Sequence, residues 1–177
     1  VTTEPLVEDR GGDLIEAASA ILNADRTHRY VLTRWWADGP TWMFIMLNPS
    51  TADAFAVDPT LTRCLRFARR GGAGTLVVCN LFGLRSTDPS VLEHHPDPIG
   101  ASNDQLLVEQ AVAADIVVAG WGAHGRLHDR DRTIVELLDG HVRWRCLASN
   151  NDGSPRHPLY IRADAPLSYF NPQTRWS

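Results

Sequence analysis

Met43-Phe44-Ile45-Met46-Leu47-Asn48-Pro49-Ser50-Thr51-Ala52-Asp53 runs from five apolar residues into Asn48-Pro49 and then into small, mostly polar residues. Proline has no backbone donor and pushes the residue before it towards extended geometry, so this pattern predicts a buried strand ending in a loop. The same grammar recurs three times. Thr75-Leu76-Val77-Val78-Cys79 ends at Asn80, Asp115-Ile116-Val117-Val118-Ala119 at Gly120-Trp121-Gly122, and Arg143-Trp144-Arg145-Cys146-Leu147-Ala148 at Ser149-Asn150-Asn151. Short apolar runs separated by helix-like segments predict parallel strands joined by crossovers. The fold class expected is α/β, with three layers and a central, mainly parallel four-stranded sheet. Ligands of such sheets bind beyond the carboxyl ends of the strands, so the four polar turns are expected to share one rim and to form the site.

Working outward, residues 30–36 alternate, with Tyr30, Leu32 and Arg34 facing one way and Val31, Thr33 and Trp35 the other. Asp38-Gly39-Pro40 is a turn signal, which predicts that this strand and the stretch from Trp42 form an antiparallel hairpin at the N-terminal edge of the sheet. Residues 13–22 have helical spacing with Asp13 placed to cap, and residues 1–10 are expected to fray. Asp58-Pro59 opens a helix that runs to Arg70, with Leu61, Leu65 and Ala68 on its apolar stripe and Gly71-Gly72 ending it. Its Arg63, Arg66, Arg69 and Arg70 read as a solvated face or, alternatively, as phosphate contacts. Further helices are expected from Ser102-Asn103-Asp104 and over 129–138, and the long polar connection 81–100 has the look of a functional loop.

The 177 residues fit one domain, 1–177, without repeats or a linker. No apolar run approaches the roughly 18 residues that span a bilayer, and no basic segment followed by an apolar run suggests a secretory signal. Cys64, Cys79 and Cys146 are far apart and show no metal spacing; buried inert thiols and a reducing cytoplasm are expected. No cofactor or metal is implied. The formal net charge of −4 argues against a general nucleic-acid coat while allowing a local basic groove. All 17 basic residues other than histidine are arginine, which suits bidentate phosphate contacts but also follows from a coding bias.

On the rim, Asn48 offers one acceptor and two donors, enough to orient a water or read a polar edge, and Asn80 offers the same. Two converging asparagines suit a nucleobase edge; each alone also suits loop bracing. Asp58 is expected to cap its helix, while Asp53 is free to act as a base towards water. Phe55 either stacks on a flat ligand or is buried under the loop. His157, beside Arg156 in a proline-bracketed segment, is placed to donate to a developing anion. Arg85, Ser86 and Arg156 are the candidates for phosphate contact. No dinucleotide fingerprint, Walker loop or Gly-x-Ser-x-Gly elbow is present.

Leu47-Asn48-Pro49-Ser50-Thr51-Ala52-Asp53, Asp58-Pro59-Thr60, Asn80-Leu81-Phe82, Thr87-Asp88-Pro89, Trp121-Gly122 and His157-Pro158-Leu159-Tyr160 together resemble the uncharacterised family of unknown function numbered 1643, over residues 30–160. The order of the strand-end motifs also resembles, more distantly, the uracil-DNA glycosylase superfamily. That resemblance implies a four-stranded parallel sheet flanked by helices, a water positioned by Asn48, a base edge read by Asn80, Trp121-Gly122 at a later strand end, and His157 stabilising the departing base. Ser50, Phe55, Trp121 and either Asn150 or Asn151 complete the base-binding set it implies. Two departures stand out: Leu47 takes the place of a glycine, and Ser50 that of a bulky aromatic, which implies a wider pocket. His157 also lies several residues further from its strand than in that superfamily.

The activity so implied is a DNA base glycosylase that flips out a modified or damaged base and hydrolyses its N-glycosidic bond without a metal. The partner expected is DNA, with no membrane. A base-binding module without turnover, or a hydrolase of free nucleosides or nucleotides, are the alternatives; an amide at position 48 favours the first of these and the acidic net charge the second.

Overall fold

The computed structural model describes residues 4–13, 16–51, 56 and 58–175. Among them, eight strands form one sheet: β1 (Leu6–Gly12), β2 (Ala17–Asn23), β3 (Arg29–Trp35), β4 (Thr41–Met46), β5 (Thr75–Asn80), β6 (Ile116–Ala119), β7 (Trp144–Cys146) and β8 (Ser168–Tyr169). Their order is β1-β2-β3-β5-β4-β6-β7-β8. The helices are α1 (Pro59–Arg70), α2 (Val91–His94), α3 (Asn103–Ala113) and α4 (Arg130–Leu137).

The sheet is larger and more mixed than expected. The three pairings among β5, β4, β6 and β7 are parallel, and the other four are antiparallel. Helices pack on both faces of the sheet. On one face α1 packs Leu61, Cys64, Leu65, Phe67 and Ala68 against Phe44, Leu76 and Val118. On the other, Leu107 and Ala111 of α3 and Ile134, Val135 and Leu138 of α4 cover Ile45, Val77 and Val117.

Three local expectations fail for identifiable reasons. The segment expected as a helix over 13–22 supplies β2, where Ala18, Ser19 and Ala20 are buried between β1 and β3. Its apolar run is short enough to fit either period, and the two ladders decide. Asp13 accepts instead from the Glu16 amide at 2.9 Å, in the turn that joins β1 to β2. The stretch expected to fray contains β1, paired along its length with β2. The hairpin between the third and fourth strands does not form, because β5 inserts between them.

That insertion depends on a close crossing. The turn after β3 passes over the entry to β5, with Trp36 N–H and indole Nε1 donating to Gly74 O at 3.1 Å and Ala73 O at 2.9 Å. A Cβ on Gly74 would lie 2.2 Å from Ala37 O, so only glycine allows the two segments to cross. No helix among the described residues is long and apolar enough to cross a membrane.

Helix α1 begins as its sequence predicts. Asp58 Oδ1 accepts from Leu61 N–H at 2.7 Å, with Pro59 in the first turn. Ser102, before α3, makes no such side-chain bond. Asp58→Ala is therefore expected to lower stability by about 1 kcal/mol, and Ser102→Ala to change it by less than about 0.5 kcal/mol. Urea unfolding of the two variants side by side checks this difference.

Candidate functional site

The parallel register levels the strand ends. Met46 lies opposite Asn80, Ile45 opposite Ala119, and Ala119 opposite Cys146. The polar turns beyond them therefore emerge on one rim. There they wall a cleft of about 730 Å³, lined among others by Asn48, Ser50, Asn80, Asn150, Arg156 and His157. That volume is in the range that buries most of a drug-sized molecule.

Asn48 is held by its amide. Nδ2 donates to Ser86 O at 2.9 Å and Pro49 O at 3.2 Å. Both partners are carbonyls, so the amide orientation is fixed by the network and, among the described residues, only Oδ1 remains, an acceptor. Ser86 lies on the cleft wall, but its hydroxyl is engaged locally with Asp88 O at 2.8 Å. It serves to brace Asn48.

Asn80 ends β5 at 4% exposure, and among the described residues its side-chain amide has no hydrogen-bond partner. Its backbone is clamped from behind. Asn103 Nδ2 donates to Asn80 O and Leu81 O at 3.1 and 3.2 Å, and the buried Arg130 guanidinium donates twice to Leu81 O, at 3.0 and 2.9 Å. A buried amide that lines a cavity without a protein partner is suited to a ligand that supplies one.

His157 is reached after the chain loops out. Ser149 and Pro155 form an isolated bridge, and Arg156 N–H returns to Ala148 O at 2.8 Å. The extra residues before His157 are thus a closed excursion, and the histidine comes back beside Gly122, where a Cβ would sit 3.8 Å from its own. Its Nδ1 accepts from Leu159 N–H at 3.3 Å, which places the proton of the neutral ring on Nε2. Burial lowers its pKa below the usual histidine value, and the carboxylate of Asp58 pulls weakly the other way.

The remaining expected residues divide. Ser50 donates to Asp58 Oδ2 at 3.0 Å, so it braces the helix start while lining the cleft. Asn150 donates to Ser154 Oγ at 2.9 Å and reaches the wall; Asn151 is exposed and does not. Arg156 is exposed at the mouth. Arg85 is off the cleft wall and donates to Thr51 O at 2.8 Å and Arg26 O at 2.9 Å, tying two loops together. Trp121 touches the cleft, but at 2% exposure its ring is packed edge-on against Trp144 and Phe170, with centroids 5.7 and 6.2 Å away, and offers no open face. Asp53 and Phe55 lie outside the described residues. The α1 arginines are absent from the wall, with Arg63 and Arg70 donating to the carbonyls of Ile161, Ala163 and Ala165.

Sequence reasoning missed Arg29 and His124, which belong to no motif; both line the cleft. Cys64 lines it too, but burial pushes its thiol far up, so it is no nucleophile at neutral pH. Among the described residues no cluster of three or more histidine, cysteine or acidic side chains could hold a metal.

Residues 29–159 match the family described as a protein of unknown function (DUF1643), and the chain belongs to that family. No curated protein and no solved structure matches it.

The depressed pKa of His157 has a stability signature. Its neutral form is favoured in the fold, so its contribution is complete above the ordinary histidine pKa and is lost as pH falls through the lower folded value. An NMR titration of the His157 ring should give a midpoint below the ordinary value. Asp58→Asn, which keeps a capping oxygen, should move that midpoint further down by removing the attracting charge.

Proposed function

We propose that the cleft receives a nucleobase and hydrolyses its N-glycosidic bond, the substrate being DNA that carries a modified or damaged base. The observation that carries this reading is the set of polar atoms on one cleft that have no hydrogen-bond partner among the described residues: the Asn80 amide, Asn48 Oδ1 and His157 Nε2–H. An amide matches the paired donor and acceptor on a base edge. A neutral histidine donates to negative charge that develops on the base as its bond to C1′ breaks and the electron pair stays with the ring. Asn48 Oδ1 is positioned to accept from a water, which adds to the oxocarbenium-like carbon. The oxygen of that water joins C1′, and its proton passes to solvent or to the departing base.

No carboxylate needs to activate this water if bond breaking leads. Asp58, on the same wall, is engaged with Leu61 N–H and Ser50 Oγ. In a dissociative reaction leaving-group stabilisation and water orientation carry most of the rate, and both are supplied by neutral groups here. At the rim, Leu159 and Tyr160 are exposed and offer apolar surface against which neighbouring bases can lie.

A second reading, hydrolysis of free nucleosides or nucleotides, is favoured by how the arginines are used. Arg85 and the α1 residues Arg63 and Arg70 donate to backbone carbonyls, and Arg126 pairs with Asp152 at 3.2 Å. That leaves few phosphate contacts for a duplex. The salt dependence of affinity separates the two, being steep for a nucleic-acid strand and shallow for a mononucleotide.

Base release from a panel of modified bases in single- and double-stranded oligonucleotides tests the chemistry. His157→Ala is expected to slow release by about 10²- to 10³-fold, and Asn48→Ala to slow it while leaving base affinity largely intact. Release that is indifferent to Asn48→Ala, or nucleoside binding without turnover at any pH, would overturn hydrolysis at this site.

A further inference from the structure

A charge on the inner wall of the cleft takes no part in the chemistry above. Arg29 begins β3, and strict alternation would put it on the same face as Val31 and opposite Leu32. The ladder breaks that rule. Ile21 pairs with Val31, but Leu22 pairs with Arg29, so Tyr30 is an extra residue on β3. Tyr30 and Val31 consequently both pack into the core on the α3 side, while Arg29 and Leu32 both line the cleft on the α1 side. A bulge of this kind re-aims a side chain, and such bulges are common beside binding sites.

The surroundings make the re-aimed group informative. Arg29 is 7% exposed, and its companions on the wall include Leu32, Met46, Val78 and, from α1, Leu61 and Cys64. A guanidinium keeps its proton in such a setting. Arg29 also has a protein contact of its own, so an incoming group would share its five donors. Asn80 stands on the neighbouring strand β5, on the same wall.

We propose that Arg29 makes the inner end of the cleft an anion subsite, so that the preferred ligand carries a carboxylate or phosphate alongside the flat group read at Asn80. The assignment of the flat group rests on the base-binding reading; the anion subsite rests on the bulge and the wall. The anion has two possible sources, a carboxylate borne by the base or the phosphate of a free nucleotide. A ligand of this kind lays its apolar atoms against Leu32, Met46 and Val78 and reaches the guanidinium beyond them.

Calorimetric titration of the full chain with uracil, 5-carboxyuracil, uridine, uridine 5′-monophosphate and inorganic phosphate distinguishes these. One of the two anionic ligands is expected to bind about 10-fold or more tighter than its neutral parent, as a charged hydrogen bond implies. Preference for 5-carboxyuracil assigns the anion to the base, and preference for the monophosphate assigns it to the nucleotide. Arg29→Met should abolish the gain while leaving uracil affinity unchanged, with thermal unfolding as the check on folding. Arg29→Lys, which keeps the charge but not the fork, should retain part of it and serves if the methionine variant does not fold. An anion preference that survives Arg29→Met, or no preference in the unaltered protein, overturns the subsite. Anion binding that depends on Arg29 while uracil and uridine fail to bind leaves the subsite standing and removes the base reading. No binding by any of the five overturns both.

Discussion

The polar residues at the ends of the parallel strands take their positions from the register of one strand. β4 lies at the centre of the parallel block, with Ile45 opposite Cys79 on one side and Ala119 on the other. Its neighbours therefore finish level with it, and the turns at their ends emerge on a common rim. The hydrogen-bond ladder continues for a residue or two beyond the strands, with Leu81 N–H on Met46 O, Phe82 N–H on Leu47 O and Gly120 N–H on Ile45 O, each at 2.9 Å. A slip of one residue would reverse which face each side chain meets and dissolve the cleft.

Around that register the chain uses cations as carbonyl braces. Arg130 holds Leu81 O, Arg85 holds Thr51 O, and Arg63 and Arg70 hold the segment 161–165 against α1. A loop carbonyl left buried and unpaired costs free energy, and a guanidinium with five donors can satisfy several at once. An acidic chain with many arginines thus presents fewer free positive charges than its composition suggests. Asp58 has a matching role on the acidic side. It caps α1, accepts from Ser50 and sets part of the field at His157, so the helix start and the cleft share one carboxylate.

Some of this was legible in the sequence because the signal was local. Asp58-Pro59 fixes the start of α1 through a cap and a preset backbone angle, and the structure begins the helix there. Asn48, Asn80 and His157 were legible because each ends an apolar run or sits in a proline-fixed turn, and the structure brings them to one cleft. The hidden part depends on contacts between distant segments. Nothing near residue 38 announces that Gly74 will pass under the turn and let β5 separate β3 from β4. The face of Arg29 is set by a bulge opposite β2, a segment whose own spacing reads as helix. Trp121 obeys the strand-end grammar but lies between Trp144 and Phe170, and its burial is decided by those partners.

The cations on the cleft wall, Arg29 and Arg156, are both guanidiniums, and the sequence contains no lysine. A guanidinium does not lose its proton under physiological conditions and forms no imine with a sugar aldehyde. No side chain of this sequence can therefore hold an opened sugar covalently by an amine, the route by which elimination would cut the strand. For the proposed base removal, the side chains thus supply leaving-group and water contacts but no covalent hold on the sugar.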